Sequence, residues 1–95
     1  MNIFRSHTTP RFEKDFLDLP EKVRTRAEKR IKLFEENCFH PILDTHKLKG
    51  VIKIFWSFSV GANSRVIFKF LNKGEVIYYR IGPHRIYKEL ERIFK

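Results

Sequence analysis

The sequence is poor in cysteine, glycine and long apolar runs. Cys38 is the only cysteine, which excludes an internal disulfide and any zinc site built from several cysteines. A lone cysteine is typical of a reducing compartment, and Cys38 is interpreted as a small buried apolar residue near a helix end. The four glycines are scattered along the chain, so no glycine-rich phosphate loop is present.

Targeting and membrane signals are also missing. The first ten residues, MNIFRSHTTP, lack the apolar core of a signal peptide, and no stretch approaches the roughly 18 apolar residues of a membrane span. We therefore expect a cytoplasmic protein without membrane contact. A chain of 95 residues corresponds to one small domain over residues 1–95, because domains usually hold roughly 100 to 200 residues.

Acidic residues are scarce relative to basic ones. The chain has 20 Lys and Arg against 11 Asp and Glu, a net charge of +9 and an isoelectric point near 10.0. A field of this size attracts polyanions such as nucleic acid. A membrane surface or an acidic protein would satisfy it equally well, so charge alone defines no chemistry.

The first half of the chain predicts a strand and two helices. A short strand is expected over Ile3 to His7, followed by a helix with Thr9 as N-cap and Pro10 in its first position. Its apolar stripe is Phe12, Phe16 and Leu19. The spacing of Asp18 and Glu21 resembles a capping box and predicts that a second helix starts there, with an apolar face formed by Val23, Ala27, Ile31 and Phe34.

The second half predicts three strands and a last helix. Residues 37–50 show no sustained period and are interpreted as a connection. The runs IFWSFSV, RVIFKFL and EVIYYRIG are separated by the turns GANS and NKG, which indicates an antiparallel meander. A short helix is expected over Tyr87 to Phe94. The predicted class is α+β, with the two N-terminal helices packed on one face of a mostly antiparallel sheet.

Alternation along these strands predicts which side chains face away from the helices. In the middle run, Val66, Phe68 and Phe70 suit the core, which leaves Arg65, Ile67 and Lys69 on the less covered face. In the last run, Arg80 is expected to point away from the apolar set Ile77, Tyr79 and Ile81, either near Arg65 or on the adjacent rim. The pattern does not fix the register between the two strands.

The segment RIGPHRIYK at residues 80–88 fits either an ordinary solvated strand end or the working edge of an enzyme that cleaves a phosphodiester chain, and its side chains suit metal-free RNA cleavage. Imidazole transfers protons near neutral pH, and guanidinium stabilises the charge that grows on the phosphate oxygens. Tyr78 and Tyr87 are available to stack on bases. His84, and to a lesser extent His46, are the candidate imidazoles, whereas His7 and His40 are interpreted as surface or loop residues. The histidine spacings fit no metal site, and no cofactor is expected.

Four segments carry a family resemblance. HKLKG at 46–50, WSFSV at 56–60, SRVIFKF at 64–70 and RIGPHRIY at 80–87 together resemble the RelE/ParE superfamily of bacterial toxins, closest to its YafQ-like branch. The resemblance spans about residues 1–95 and depends on the order and spacing of the segments. It implies a small RelE-like fold and the toxin of a type II toxin–antitoxin pair, usually a ribosome-dependent mRNA endoribonuclease.

The resemblance also implies site residues and partners. Arg65 stands where many members carry a sheet arginine that contacts the scissile phosphate, and His46 and His84 match active-site histidines of the YafQ-like branch. The nucleic-acid-binding residues expected with them are Lys47, Lys49, Lys69, Arg80, Arg85 and Tyr87. The implied partners are mRNA on the ribosome, with contacts to 16S rRNA, and a small acidic antitoxin that forms an oligomer with the toxin.

One departure from the family pattern keeps other functions open. The YafQ-like branch has a further histidine and an aspartate near the second hairpin, where this chain has Ser59 and Asn63. Neither side chain replaces an imidazole or a carboxylate in proton transfer. The alternatives are a ParE-like inhibitor of DNA gyrase and a basic RNA- or ribosome-binding domain without cleavage activity.

Overall fold

The structure is a computed structural model that describes residues 2–95. Its elements are β1 (Arg5–Thr8), α1 (Pro10–Asp18), α2 (Glu21–Glu36), a first 3-10 turn (Pro41–Leu43), β2 (His46–Lys47), a second 3-10 turn (Gly50–Ile52), β3 (Trp56–Ser59), β4 (Arg65–Phe70), β5 (Glu75–Gly82) and α3 (Arg85–Phe94). The strands form one sheet in the order β1-β5-β4-β3-β2, with β1 parallel to β5 and the other neighbours antiparallel. The predicted α+β class is confirmed. No helix of residues 2–95 is both long enough and apolar enough to cross a membrane.

The starts of the first two helices differ in how they are capped. The Thr9 hydroxyl accepts a hydrogen bond from the Phe12 N–H at 3.0 Å, and Pro10 follows as the first helical residue, as predicted. The predicted capping box of α2 is wrong, because that helix begins after Pro20 without a side-chain cap. Asp18 still belongs to the last turn of α1, where its carboxylate pairs with Lys14 at 3.1 Å.

One core lies between the sheet and the helices α1 and α2. The fully buried Phe34 of α2 packs its ring at 4.4 Å from Phe58 and 4.8 Å from Phe68, centroid to centroid. Cys38, just after α2, is fully buried in the same core, as predicted. Burial raises the pKa of its thiol, because a thiolate would be poorly solvated there. Both N-terminal helices therefore cover one face of the sheet.

A second, smaller core covers the middle of the opposite face. It is formed by α3, the second 3-10 turn and the sheet, through Ile52, Phe55, Ile67, Ile86 and Leu90. Ile67 lies on the face away from α1 and α2, as predicted, but it is fully buried there, so this part of the face is more covered than expected. The reason is that α3 starts at Arg85, two residues earlier than expected, and packs back over the sheet through Ile86.

A β-bulge sets the register between β4 and β5. Arg65 pairs with Gly82 and Ile67 with Arg80, but Phe68 pairs with Tyr78, so Tyr79 is the extra residue. A bulge shifts every later side chain by one position. The predicted grouping of Ile77, Tyr79 and Ile81 on one face of β5 is therefore wrong, because Tyr79 packs against the second core. Ile81 joins the core under α1 and α2, whereas Arg80 shares a row with Ile67.

The segment expected to be a plain connection contains an edge strand. In β2, His46 pairs with Ser57 and Lys47 with Trp56. A two-residue strand is too short to show alternation, and for that reason the sequence pattern missed it. At the other edge, β1 begins two residues later than predicted and runs parallel to β5.

Tyr78 is a buried hydrogen-bond donor that joins the sheet to α2. Its hydroxyl donates to a Glu35 carboxylate oxygen at 2.6 Å, and the residue is only 3% exposed. The prediction that Tyr78 is available to stack on bases is therefore wrong. Burial, followed by the hydrogen bond to Glu35 and the negative charge of that residue, raises the pKa of Tyr78 far above its ordinary value, because the phenolate would be both desolvated and repelled.

This raised pKa predicts a loss of stability in alkaline solution. The unfolded chain releases the Tyr78 proton near its ordinary pKa of about 10, whereas the folded chain keeps it. The free energy of unfolding should therefore fall by up to about 1.4 kcal/mol per pH unit above that point. Tyr78→Phe should cost about 1.5 to 3 kcal/mol at neutral pH by removing a hydrogen bond to a charged acceptor.

The measurement is urea unfolding of the native protein and Tyr78→Phe between pH 7 and 11. The stability difference between the two should shrink as the pH rises above about 10, and the subtraction cancels the titration of lysines common to both. A difference that stays constant with pH would contradict the assignment.

Candidate active site

A cavity of about 340 Å³ opens on the sheet face opposite α1 and α2. Its lining side chains come from the chain around β2, the start of β4 and α3: Asp44, His46, Leu48, Lys49, Ile52, Arg65, His84, Tyr87 and Glu91. It thus brings together His46, Arg65 and His84, which the sequence proposed as catalytic. Two of the expected nucleic-acid-binding residues, Lys49 and Tyr87, line it as well.

The imidazole of His46 has a defined hydrogen bond. Its Nδ1 lies 2.8 Å from the backbone carbonyl oxygen of Asp44. A carbonyl only accepts, so Nδ1 carries the proton, and in the neutral ring Nε2 is left as a free acceptor. Asp44 reaches this position because it has a left-handed backbone with φ of 49°, a conformation that Asp tolerates better than most residues. The Nε2 atom of His46 is therefore the one that can accept a proton from a ligand.

Arg65 is brought near His84 by strand pairing. Arg65 opens β4 and lies opposite Gly82, the last residue of β5, and His84 follows two residues later. Nη1 of Arg65 donates to the carbonyl oxygens of Gly61 at 3.1 Å and Ser64 at 3.0 Å. These bonds fix one side of the guanidinium. Its Nε and Nη2 donate no hydrogen bond within residues 2–95 and are available to a ligand.

The first turns of α3 supply the third side of the cavity. His84 is the N-cap residue and is exposed, and its ring centroid lies 5.3 Å from that of Tyr87. Glu91 lies four residues after Tyr87 and therefore on the same face of the helix. The half-buried Tyr87 ring packs against the second core, which gives the exposed imidazole a fixed aromatic neighbour.

Four of the expected nucleic-acid-binding residues lie outside the cavity. Lys47 is next to His46 in β2 and projects to the other face of the sheet. Lys69 is on the face of Arg65 but four residues along β4, opposite Ile77. Arg85 is exposed on α3 beside Glu89, with 3.8 Å between Nε and Oε2. Arg80 is 6% exposed and bonded to Asp15 and Glu89.

Sequence reasoning missed two carboxylates, Asp44 and Glu91. Glu91 had a usable signal, since its i+4 spacing from Tyr87 places both on one helical face. Asp44 had none, because its position depends on a left-handed turn. Ser59 and Asn63 do not line the cavity, and the Ser59 hydroxyl donates to the Gly61 carbonyl oxygen at 2.8 Å. The carboxylates of this cavity thus come from other elements than the second hairpin.

The remaining two histidines have local roles. Nε2 of His7 lies 2.6 Å from a Glu75 carboxylate oxygen on the neighbouring strand, and this contact lowers the pKa of Glu75. His40 accepts a hydrogen bond at Nδ1 from the Ile42 N–H at 3.2 Å and so caps the first 3-10 turn. Within residues 2–95, no group of three or more His, Cys, Asp and Glu side chains is arranged to hold a metal ion.

Comparison with solved structures identifies the fold. No protein-family model matches the chain, and no curated protein matches it in sequence. A YoeB/ParE toxin from Agrobacterium tumefaciens superposes with a TM-score of 0.72 at 15% identity, over 85% of this chain and 99% of that one. YafQ from E. coli gives 0.69 at 17% identity, over 86% and 94%.

A third similar structure is the RelB-RelE antitoxin-toxin complex from Methanococcus jannaschii, with a TM-score of 0.67 at 22% identity, over 88% of this chain and 96% of that one. The chain therefore has the fold of the RelE/ParE toxins, including YafQ. The resemblance noted from the sequence is confirmed at the level of the fold.

The hydrogen bonds of His46 and His40 predict opposite neutral tautomers. His46 should carry its proton on Nδ1, because it donates to a carbonyl. His40 should carry it on Nε2, because its Nδ1 accepts from a backbone N–H. Nitrogen-15 chemical shifts of the two imidazoles, measured by NMR above pH 8, distinguish the tautomers directly. The same tautomer at both residues would contradict the geometry described above.

Proposed function

We propose that this chain is the toxin of a type II toxin–antitoxin pair and that it cleaves mRNA on the ribosome without a metal ion. The observation that supports this most strongly is the single cavity lined by His46, Arg65 and His84. The shared fold adds support, because one similar structure is described as a toxin and another as a toxin bound to its antitoxin. Such a protein would act in the cytoplasm.

The proposed reaction assigns one role to each of the three residues. Nε2 of His46 takes the proton of a ribose 2′-hydroxyl, whose oxygen attacks the adjacent phosphorus. Nε and Nη2 of Arg65 donate to the phosphate oxygens as negative charge builds on them. His84 gives a proton to the departing 5′-oxygen. The products are a 2′,3′-cyclic phosphate and a free 5′-hydroxyl, so no water or metal ion enters the step.

Substrate binding is assigned to the residues around this centre. Tyr87 offers an aromatic surface beside His84 on which a base can stack, a contact worth about 1 to 3 kcal/mol. Lys49 neutralises a flanking phosphate. Lys47, Lys69 and Arg85 project outside the cavity and suit contacts with the phosphates of 16S rRNA. Arg80 is left out of the proposed interface, because its guanidinium is buried.

The distribution of charge along the chain favours an anionic ligand for its second half. Residues 46–95 contain 11 of the 20 Lys and Arg but only 3 of the 11 Asp and Glu. Nearly all of the net positive charge therefore belongs to the half of the chain that contains His46, Arg65 and His84. Such a field speeds the encounter with RNA and weakens with added salt.

Primer extension on ribosome-bound mRNA tests the proposal. The native protein should produce discrete cuts, and Arg65→Ala should reduce the cleavage rate by about 10² to 10³, through loss of charge stabilisation. His84→Ala should reduce it by about 10² to 10⁴, through loss of proton transfer. The matched controls are Arg5→Ala and His7→Ala, which remove the same residue types from β1 at the opposite edge of the sheet. Undiminished cutting by both site variants would remove the site assignment.

Two other functions would give different results in assays of mRNA cleavage, DNA supercoiling and ribosome binding. A gyrase inhibitor would block DNA supercoiling and leave mRNA intact. A binding domain without cleavage activity, consistent with Ser59 and Asn63 in place of a histidine and an aspartate, would bind ribosomes and produce no cuts. In that case His84→Ala would leave both ribosome affinity and growth arrest unchanged.

The proposed neutralising partner is a small acidic antitoxin that forms an oligomer with this chain. The net charge of +9 steers a complementary acidic protein toward it, and covering Arg65 and His84 would silence the site. Co-expression and purification should therefore recover a net acidic partner. Its binding should cover the His46 and His84 rings and change their NMR signals. A basic partner, or one that leaves both rings accessible, would contradict the idea.

A further inference from the structure

Arg80 is the only charged side chain that is buried within residues 2–95. Its guanidinium lies where three elements meet, namely β5, α1 and α3. Burial alone lowers the pKa of Arg80, but the hydrogen bonds and charges of Asp15 and Glu89 outweigh this effect and raise it. Arg80 thus remains charged although it is only 6% exposed, and its two carboxylate partners compensate for the lost hydration.

The contacts of Arg80 form what we call the buried ion-pair network, which consists of Asp15, Arg80 and Glu89. Nε donates to Oδ2 of Asp15 at 2.6 Å and Nη2 donates to Oδ1 at 3.3 Å, a two-point contact. Nη2 also donates to Oε1 of Glu89 at 3.0 Å. The same Asp15 Oδ2 accepts the backbone N–H of Ile81 at 3.2 Å, so α1 is fixed to the edge of β5 beyond the end of β1.

The network matters for the cavity because it holds α3 from one side. Ile86 and Leu90 anchor the helix on the second core, and Glu89 ties it to Arg80. The His84 side chain makes no capping bond at the start of the helix. The position of the N-terminal turns, with His84 and Tyr87, therefore depends on apolar packing together with the charge contacts of Glu89, to Arg80 at 3.0 Å and more weakly to Arg11 of α1 at 3.9 Å.

We propose that Asp15, Arg80 and Glu89 are positioning residues for the candidate site, which act through α3 on His84 and Tyr87 without touching the substrate. This inference rests on the proposed function for its catalytic consequence, but not for its structural one. When Glu89 loses its charge, the contact that ties α3 to Arg80 weakens, and the first turns of α3 become freer to move. A displacement of about 1 Å in a catalytic group reduces a rate by as much as about 10²-fold.

The experiment compares Glu89→Gln, Asp15→Asn and Arg80→Lys with the native full-length chain. Glu89→Gln is the main variant, because its side chain is 36% exposed and its loss of charge is tolerated better than a change at Asp15. Arg80→Lys keeps the charge but lacks the planar fork that reaches both carboxylates. Glu36→Gln removes the same charge from the exposed end of α2 and is the matched control.

Three readouts are expected to change together in Glu89→Gln and Arg80→Lys. Amide hydrogen exchange in α3 should become about tenfold faster, while exchange in α2 stays the same. The NMR signals of the His84 ring should shift. The kcat for mRNA cleavage should fall about tenfold with little change in KM, because positioning and not binding is impaired. Glu36→Gln should match the native protein in all three.

The outcomes separate this inference from the proposed function. If the native protein cleaves mRNA but Glu89→Gln retains native His84 signals, native α3 exchange and full kcat, the positioning role is overturned, even if the variant melts at a lower temperature. If the native protein does not cleave mRNA, the proposed function fails. The exchange and His84 measurements then still decide whether the network positions α3.

Discussion

The antiparallel pairing of β4 with β5 is the constraint on which the site depends. It sets Arg65 opposite Gly82, and the two residues after Gly82 bring the chain to His84 at the start of α3. The bulge at Tyr79 is part of this arrangement, because without the extra residue Arg65 would face Ile81 and the whole strand end would be displaced by one position. One irregularity in the ladder thus decides which guanidinium and which imidazole share a cavity.

The two cores have different roles: the larger one stabilises the sheet, and the smaller one places the side chains of the cavity. The larger core under α1 and α2 is rich in aromatic rings, such as the stacked pair Phe34 and Phe58. It supports the face of the sheet that lies away from the cavity. The smaller core under α3 is built around Ile67 and Ile86 and leaves the cavity open beside it. A packed sheet, with a helix fixed on its other face by Ile86, Leu90 and Glu89, is a suitable frame for side chains that must be aligned.

Acidic residues outside the cavity stabilise the fold through their carboxylates, whereas Asp44 at the cavity acts differently. Asp15 and Glu35 bond buried donors on the sheet, namely Arg80 and the hydroxyl of Tyr78. Asp44 instead acts on the cavity through its backbone, because its carbonyl accepts from the His46 ring. Among the basic side chains of the second half of the chain, Arg65 and Lys49 line the cavity and form no ion pair with a carboxylate within residues 2–95.

The sequence by itself determined the α+β class, the two N-terminal helices, the three-stranded meander and the face of β4 that carries Arg65, because periodicity and turn residues are local properties. Only the tertiary structure decided the register of β5, the two-residue strand that contains His46 and the burial of Arg80. These features depend on contacts between residues far apart in the chain, such as Arg80 with Asp15. They also depend on a bulge that no local sequence pattern predicts. Strand alternation assigns a side chain to a face, but its neighbours across the sheet are set by pairing energies that sum over the whole fold.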